Sequence, residues 1–258
     1  MNEKTKADIR HLLKMRDDYQ KLRIASDNRL GKKADGSDQK NINEDYDGID
    51  SLDLVDIKED TKALEKKLEK KILKELKKVP VYREYLINVK GVGPMLAAVL
   101  ISEIDIEKAS NVSKLWQYAG CNSGLVRGKK KGKDGEIIVT DEWVRGDRLT
   151  TGYLAPYNKY LKTKLLGVMA DSFIKCKSPY TEFYYNMKER LEHSEKPVNG
   201  NLEKTWKDES LAHRNNYARR YMMKQFLIDL YRNWRTIEGL PVRDLYQEEY
   251  LGHKHHED

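Results

Sequence analysis

The sequence predicts a mostly α-helical protein: a helical coiled-coil arm, then a helix-hairpin-helix core carrying one small β-hairpin. Three observations predict it. Apolar residues recur at three- and four-residue steps through Lys4–Leu30 and again through Lys62–Lys78. The glycine pair of Gly91-Val92-Gly93 separates the short amphipathic stretch Tyr82–Val89 from an apolar run that opens on Pro94. Asp134-Gly135, a hairpin turn signal, joins a basic stretch to the alternating segment Glu136–Thr140.

Composition bounds the rest. Charged residues make up 35% of the 258, and mean hydropathy is −0.82, so much of the length is solvated helix. A net charge of +7, from 49 basic against 42 acidic residues, and a pI of about 9.0 favour an anionic partner. Cys121 and Cys176 are the only cysteines, which excludes a disulfide framework and a cysteine-rich zinc site. No signal-peptide pattern is present, and no apolar run approaches the length of about 18 residues that a membrane span needs. The expectation is a soluble cytoplasmic protein, nucleoid-associated, without a membrane partner.

The arm occupies residues 1–80. Its first helix, Lys4–Leu30, carries Ile9, Leu12, Leu13, Arg16, Tyr19, Leu22 and Arg23 along a narrow seam. Residues 31–60 shift to Gly, Ser, Asn and Asp and read as a flexible, acidic connector. Lys62–Lys78 returns to helix, with Leu64, Leu68, Ile72 and Leu76 at four-residue spacing. The two helices are expected to pair as a coiled coil, within one chain or between two, and a homo-oligomer through the arm follows from the second arrangement.

Residues 81–258 form the second region. Leu86, Val89, Val92, Leu96, Ala97 and Leu100 are placed to clamp two helices around the glycine turn. Pro94 suits a first helical turn, where a missing N–H costs least. The free N–H groups there, with the positive end of the helix dipole, suit a nucleic-acid phosphate. Lys90, Gly91, Val92 and Gly93 are therefore candidate contacts to double-stranded DNA, with RNA as a second candidate partner.

A short helix is expected over Asn111–Ala119, then a turn over Ala119–Gly124, AGCNSG. The basic residues Arg127, Lys129, Lys130, Lys131 and Lys133 fall on one arm of the predicted β-hairpin, a plausible backbone contact to DNA. Arg145 and Arg148 follow. Helices are predicted over Leu154–Cys176, Tyr180–His193 and Ser210–Glu238. In the last, Ala218, Met222, Phe226, Leu230 and Trp234 form a core stripe, while Arg214, Arg219, Arg220 and Lys224 lie off it and extend the basic surface. The histidines of the tail, His253 to His256, read as a mobile end rather than a metal site. No cofactor and no metal are called for. Read on its own, Ser123 between Asn122 and Gly124 is a turn residue.

Taken together, NVKGVGPMLAAVLISEI, LWQYAGCNSG, a basic stretch and a long helix resemble the C-terminal domain of transposases of the insertion-sequence 110/116/902 group. The features that match are Gly91 and Gly93; Ala97, Ala98 and Glu103; Tyr118-Ala119-Gly120; Ser123-Gly124; and Arg127, Gly128 and Lys129. The segment Met15–Leu30 resembles the start of that group's coiled-coil region. The resemblance implies DNA transposition or recombination with Ser123 as the nucleophile on a phosphodiester, assisted by Arg127, Arg145 and Arg148. That group's N-terminal RNase H-like domain, with four metal-binding acidic residues, has no counterpart here, since the acids of 44–60 sit in a connector without a strand pattern. The alternative is a non-catalytic architectural or regulatory DNA-binding protein. A third reading is an assembly protein whose basic surface meets RNA or an acidic partner.

Overall fold

The computed structural model describes residues 3–29, 49–198 and 201–244, with the backbone alone for 49–54 and 201–203. The chain is mostly helical, as its periodicity predicts. Helix α1 (Glu3–Arg29) and helix α2 (Ile49–Leu76) pack against each other within the chain. Arg16 meets Glu69 at 3.0 Å, Arg23 meets Glu65 at 2.7 Å and Lys58 meets Asp27 at 2.8 Å, so the pairing is antiparallel. The seam changes character along its length. Towards the core it is apolar, with Ile9, Leu13, Leu68, Ile72 and Leu76 buried. Farther out, the buried positions are Ser26, Thr61 and Glu65, tied by charge-assisted bonds and helix back-bonds.

Two expectations about the arm need correction. Leu22 and Leu64, predicted on the seam, are exposed, because Glu65 and Arg23 take the inward positions at that level. Residues 49–60, read as connector, are helical: α2 extends along α1 there, with Lys58 paired to Asp27 at 2.8 Å while Val55 and Ile57 stay exposed. Of the two arrangements expected for the arm helices, the structure shows pairing within the chain. The remaining stretch of the predicted connector and the histidine tail lie outside the described residues.

The expected hairpin follows. Helix α3 (Pro80–Glu84) is a short turn that ends at Tyr85, and a 3-10 turn over Leu86–Asn88 carries the chain to Gly91. Two short turns thus stand where one amphipathic helix was predicted. Gly91 adopts φ 97°, a conformation that favours glycine. Helix α4 (Pro94–Glu103) then starts with Gly93 as its N-cap and Pro94 in its first turn. Val92, Leu86, Ala97 and Leu100 are buried between the elements, the clamp that the sequence calls for.

Helix α5 (Val112–Tyr118), capped by Asn111, leads through residues 119–124 into an antiparallel ribbon of β1 (Leu125–Lys131) and β2 (Ile137–Arg145). Asn158 caps α6 (Lys159–Thr163), which runs through a π-helical segment, Lys164–Met169, into α7 (Ala170–Cys176). Residues 154–157, expected to be helical, precede that cap as a loop whose Leu154 amide donates to the Lys129 carbonyl at 2.7 Å. Helix α8 (Thr181–Glu192) and the long α9 (Leu211–Ile237) complete the core. A second short pairing, β3 (Pro197–Val198) with β4 (Asn201–Thr205), lies between them, beyond the single β-hairpin expected.

The core is contiguous from the arm's base to α9, whose stripe Ala218, Met222, Phe226, Leu230 and Trp234 is fully buried. Among the described residues no helix is long and apolar enough to cross a membrane.

The two hairpin glycines differ physically. A Cβ on Gly91 would lie 2.7 Å from the Phe173 ring, in addition to the strain of its positive φ, whereas one on Gly93 would meet nothing within 4 Å. Gly91→Ala is predicted to destabilise the protein by roughly 2–5 kcal/mol, from strain and overpacking together. Gly93→Ala should stay within about 1 kcal/mol of the parent, because only the N-cap preference changes. Urea unfolding of the two variants side by side checks this, and equal losses would contradict the asymmetry.

Candidate nucleic-acid interface

The hairpin is held from behind. Ser172 on α7 donates to the Gly91 carbonyl at 2.7 Å, and Phe173 lies against the same glycine. Phe173 is itself fixed by a stacked contact with Tyr180 at 5.4 Å and an edge contact with Phe226 at 5.3 Å. The Val92 amide bonds back to Val89. Among the described residues, the amides of Gly93, Met95 and Leu96 donate no hydrogen bond, as expected for a helix start without a capping side chain. Gly93, Pro94 and Lys90 are exposed around them, and Lys90 has no ion-pair partner among the described residues. Unpaired donors, a helix dipole and one free ammonium thus share a solvent-facing turn.

The ribbon carries the second group of cations. Lys129, Lys131 and Lys133 are exposed and make no ion pair among the described residues. Lys130 stands 3.8 Å from Glu142 and 4.5 Å over the Tyr153 ring. Tyr153 can lie there because Gly128 has no side chain, and a Cβ at that position would sit 2.5 Å from its ring. Ile137, Ile138, Val139 and Trp143 are also exposed on this ribbon. A two-stranded ribbon with apolar residues in water is marginal by itself, so the packing of residues 150–157 against β1 matters to its order.

Ser123 occupies the exposed tip of a loop with fixed ends. The Gly124 amide donates to Asn122 Oδ1 at 3.1 Å, the Gly146 amide donates to the Gly124 carbonyl at 2.8 Å, and the Cys121 amide donates to the Trp116 carbonyl at 2.8 Å. Gly146 fits because a Cβ would come within 3.0 Å of the Asn122 and Gly124 carbonyls and of Gln117 Oε1. No side-chain hydrogen bond among the described residues engages the Ser123 hydroxyl.

Two of the three candidate arginines are engaged with other partners. Arg127 donates to the Asp141 carbonyl and lies 4.5 Å over the Trp143 ring. Arg145 pairs with Asp147 at 3.1 Å. Arg148 is exposed and without a partner among the described residues.

A cationic cluster lies behind the loop instead. Asp147, only 6% exposed, receives Arg145 and also Arg220 of α9 at 2.7 Å, while Lys162 of α6 donates to its backbone carbonyl. Burial alone would raise the Asp147 carboxyl, but the Arg145 hydrogen bond and the charges of Arg220, Arg145 and Lys162 hold it below the ordinary carboxylate value. Burial lowers the Lys162 and Lys224 ammonium groups, and repulsion from Arg220 acts in the same direction on both. The Cys121 thiol, wholly buried, is pushed up to about 11. Arg145, Lys162, Arg220 and Lys224 therefore face a single carboxylate, an excess of positive charge that favours an anion nearby.

Sequence reasoning singled out Arg220 and Lys224 as basic positions off the core stripe but not Asp147 or Lys162. Asp147 lies two residues from Arg145 and 15 from Lys162, but Arg220 reaches it across 73 residues, and no local spacing marks that convergence. No protein-family model matches this chain, and neither a curated protein nor a solved structure is similar to it.

The Asp147 pairing makes a pH prediction. A carboxyl held below its unfolded value adds stability that is present above that value, about 3.9, and is lost as pH falls through the lower folded one. Asp147→Asn should cost about 1.5–3 kcal/mol at pH 7, the scale of a charge-assisted hydrogen bond. The difference from the parent should narrow as both are titrated below about pH 4. Denaturant titrations at neutral and acid pH test it, and a difference that stays constant would contradict the linkage.

Proposed function

We propose that this protein binds duplex DNA, gripping a phosphate at the hairpin and following the backbone with the ribbon. The observation that carries the reading is the exposed start of α4, where the Gly93, Met95 and Leu96 amides have no acceptor among the described residues and Lys90 stands beside them. Backbone donors at a helix start favour an oxyanion of any base sequence. The free ammonium groups of Lys129, Lys131 and Lys133 add contacts of the same kind. Such binding is tolerant of sequence and strongly dependent on salt.

A second reading adds chemistry at Ser123. It is supported by the exposed, unengaged hydroxyl on a loop pinned at both ends, with the Asp147 cations behind it, and by the resemblance to transposases of the insertion-sequence 110/116/902 group. In that reaction the Ser123 oxygen forms a bond to phosphorus, and the bond from phosphorus to the departing strand's oxygen breaks. The serine hydroxyl gives up its proton to solvent as the departing oxygen takes one from solvent, leaving one DNA end as a phosphoserine ester. Arg148, exposed and close in sequence to the cluster, is the arginine left free to meet the non-bridging oxygens.

The logarithm of the affinity for a blunt duplex should fall linearly with the logarithm of salt. Changing Lys129, Lys130 and Lys131 together to Ala should reduce that slope by roughly one unit per lost phosphate contact. Gly93→Leu, which spares the Gly91–Phe173 contact, should weaken duplex binding without unfolding the protein. Unchanged affinity in a folded Gly93→Leu protein would remove the hairpin from the interface. For Ser123, the expected result is a protein–DNA adduct that survives denaturation after incubation with supercoiled DNA. Ser123→Ala should abolish the adduct while changing duplex affinity little. An adduct that persists in the alanine protein assigns the nucleophile elsewhere.

A further inference from the structure

A cavity of about 430 Å³ opens between α5, α8, the residues that flank the second strand pair (Ser194, Lys196 and Trp206) and α9. Trp116, Trp206, Tyr217 and Tyr221 supply aromatic walls. Trp206 and Tyr217 stand 4.7 Å apart, and Trp116 is anchored through its indole N–H to the Lys224 carbonyl at 3.2 Å. Among the described residues, the charged groups of the lining are Arg190, Lys196 and Lys224, without a carboxylate. Arg190 and Lys196 are exposed at the rim, while Lys224 is held 4.5 Å over the Trp116 ring.

Aromatic faces with several cations and no acid match one chemistry: a planar base attached to a phosphodiester. A purely apolar ligand would leave three positive charges without a use, and a small inorganic anion would leave four rings without one. The cavity also connects to the Ser123 loop through covalent and hydrogen-bonded steps. Trp116 lines the cavity and its carbonyl fixes the Cys121 amide. Lys224 stands one helical turn after Arg220, which holds Asp147.

We infer that this cavity binds unpaired nucleotides of a DNA strand, stacking a base on its aromatic wall and pairing the adjacent phosphates with Arg190, Lys196 and Lys224. The inference deepens the DNA reading above and rests on it, by naming a single-stranded segment as what enters beside the Ser123 loop. Lys224, its charge already disfavoured by burial, gains most from a phosphate there.

The test uses the full chain and three labelled probes at one salt concentration: a thymidine oligonucleotide of about eight nucleotides, the same backbone without bases, and a blunt duplex. Fluorescence anisotropy should show the abasic strand binding about ten-fold more weakly than the thymidine strand. The double variant Arg190→Glu/Lys196→Glu alters only exposed side chains. It should lose about ten-fold or more in affinity for the thymidine strand and less than about three-fold for the duplex. Tyr217→Leu, checked for folding by circular dichroism, should weaken the thymidine strand selectively. Equal binding of abasic and thymidine strands overturns the proposal, as does an equal loss for both DNA forms. Tighter binding of the matching uridine RNA overturns the assignment to DNA. Gly93→Leu separates this inference from the hairpin reading. Retained duplex binding in that variant defeats the hairpin alone, while the response of the thymidine strand to Arg190→Glu/Lys196→Glu judges the cavity.

Discussion

The position of the candidate interface depends on one contact, the Phe173 ring against the backbone of Gly91. Phe173 is wholly buried and touches Tyr180 and Phe226, so its ring is fixed by α9 and by the loop before α8. The same α7 turn supplies Ser172, whose hydroxyl holds the Gly91 carbonyl. A glycine that must combine positive φ with this close approach has no substitute among L-residues. Helix α4 therefore begins where the C-terminal helices place it. The unpaired amides at its start are a consequence of that docking as much as of the local sequence.

Buried polar ties give the rest of the structure its register. Arg235, 6% exposed, donates to the carbonyls of Pro241, Ile106 and Ala109 and closes the end of α9 over the loop after α4. Asp17 on the arm accepts from Tyr160 at 2.9 Å and pairs with Lys164 at 3.1 Å, binding α1 to the start of the α6–α7 helix. Burial alone would raise the Asp17 carboxyl, but these partners outweigh it and hold the group low. Breaking one member of such a set leaves its neighbours desolvated and unpaired, which costs more than the pair contributes as a whole. Several of the chain's cations are therefore structural, among them Arg145, Lys164, Arg220 and Arg235.

Much of the architecture was legible from periodicity. The stripe from Ala218 to Trp234, the arm helices, the glycine turn and the Asp134-Gly135 ribbon all follow from spacing, because each buries a face or needs a turn that local residue types supply. Failures occurred where tertiary packing outweighed spacing. Leu64 has the right interval for the seam, yet Glu65 is buried there because Arg23 and Arg16 reach it from the facing helix. Tyr82–Val89 has an amphipathic pattern, but the chain breaks at Tyr85, whose hydroxyl meets that of Tyr180 at 3.3 Å and whose phenol burial pushes up to about 12.

The sequence by itself determined the helical class, the two-glycine turn before Pro94, the basic ribbon and the uneven distribution of charge. Those features are local: they depend on φ preferences, on periods of about 3.6 and 2 residues, and on side-chain type. Tertiary structure alone decided that α1 and α2 pair within one chain, that Arg127 turns across the ribbon to Asp141, and that Asp147 collects Arg220 across 73 residues. It also assembled the aromatic and cationic cavity from three helices and the residues that flank the second strand pair. Long-range charge pairing and shared burial depend on how helices cross, and a single strand of sequence carries no local record of that crossing.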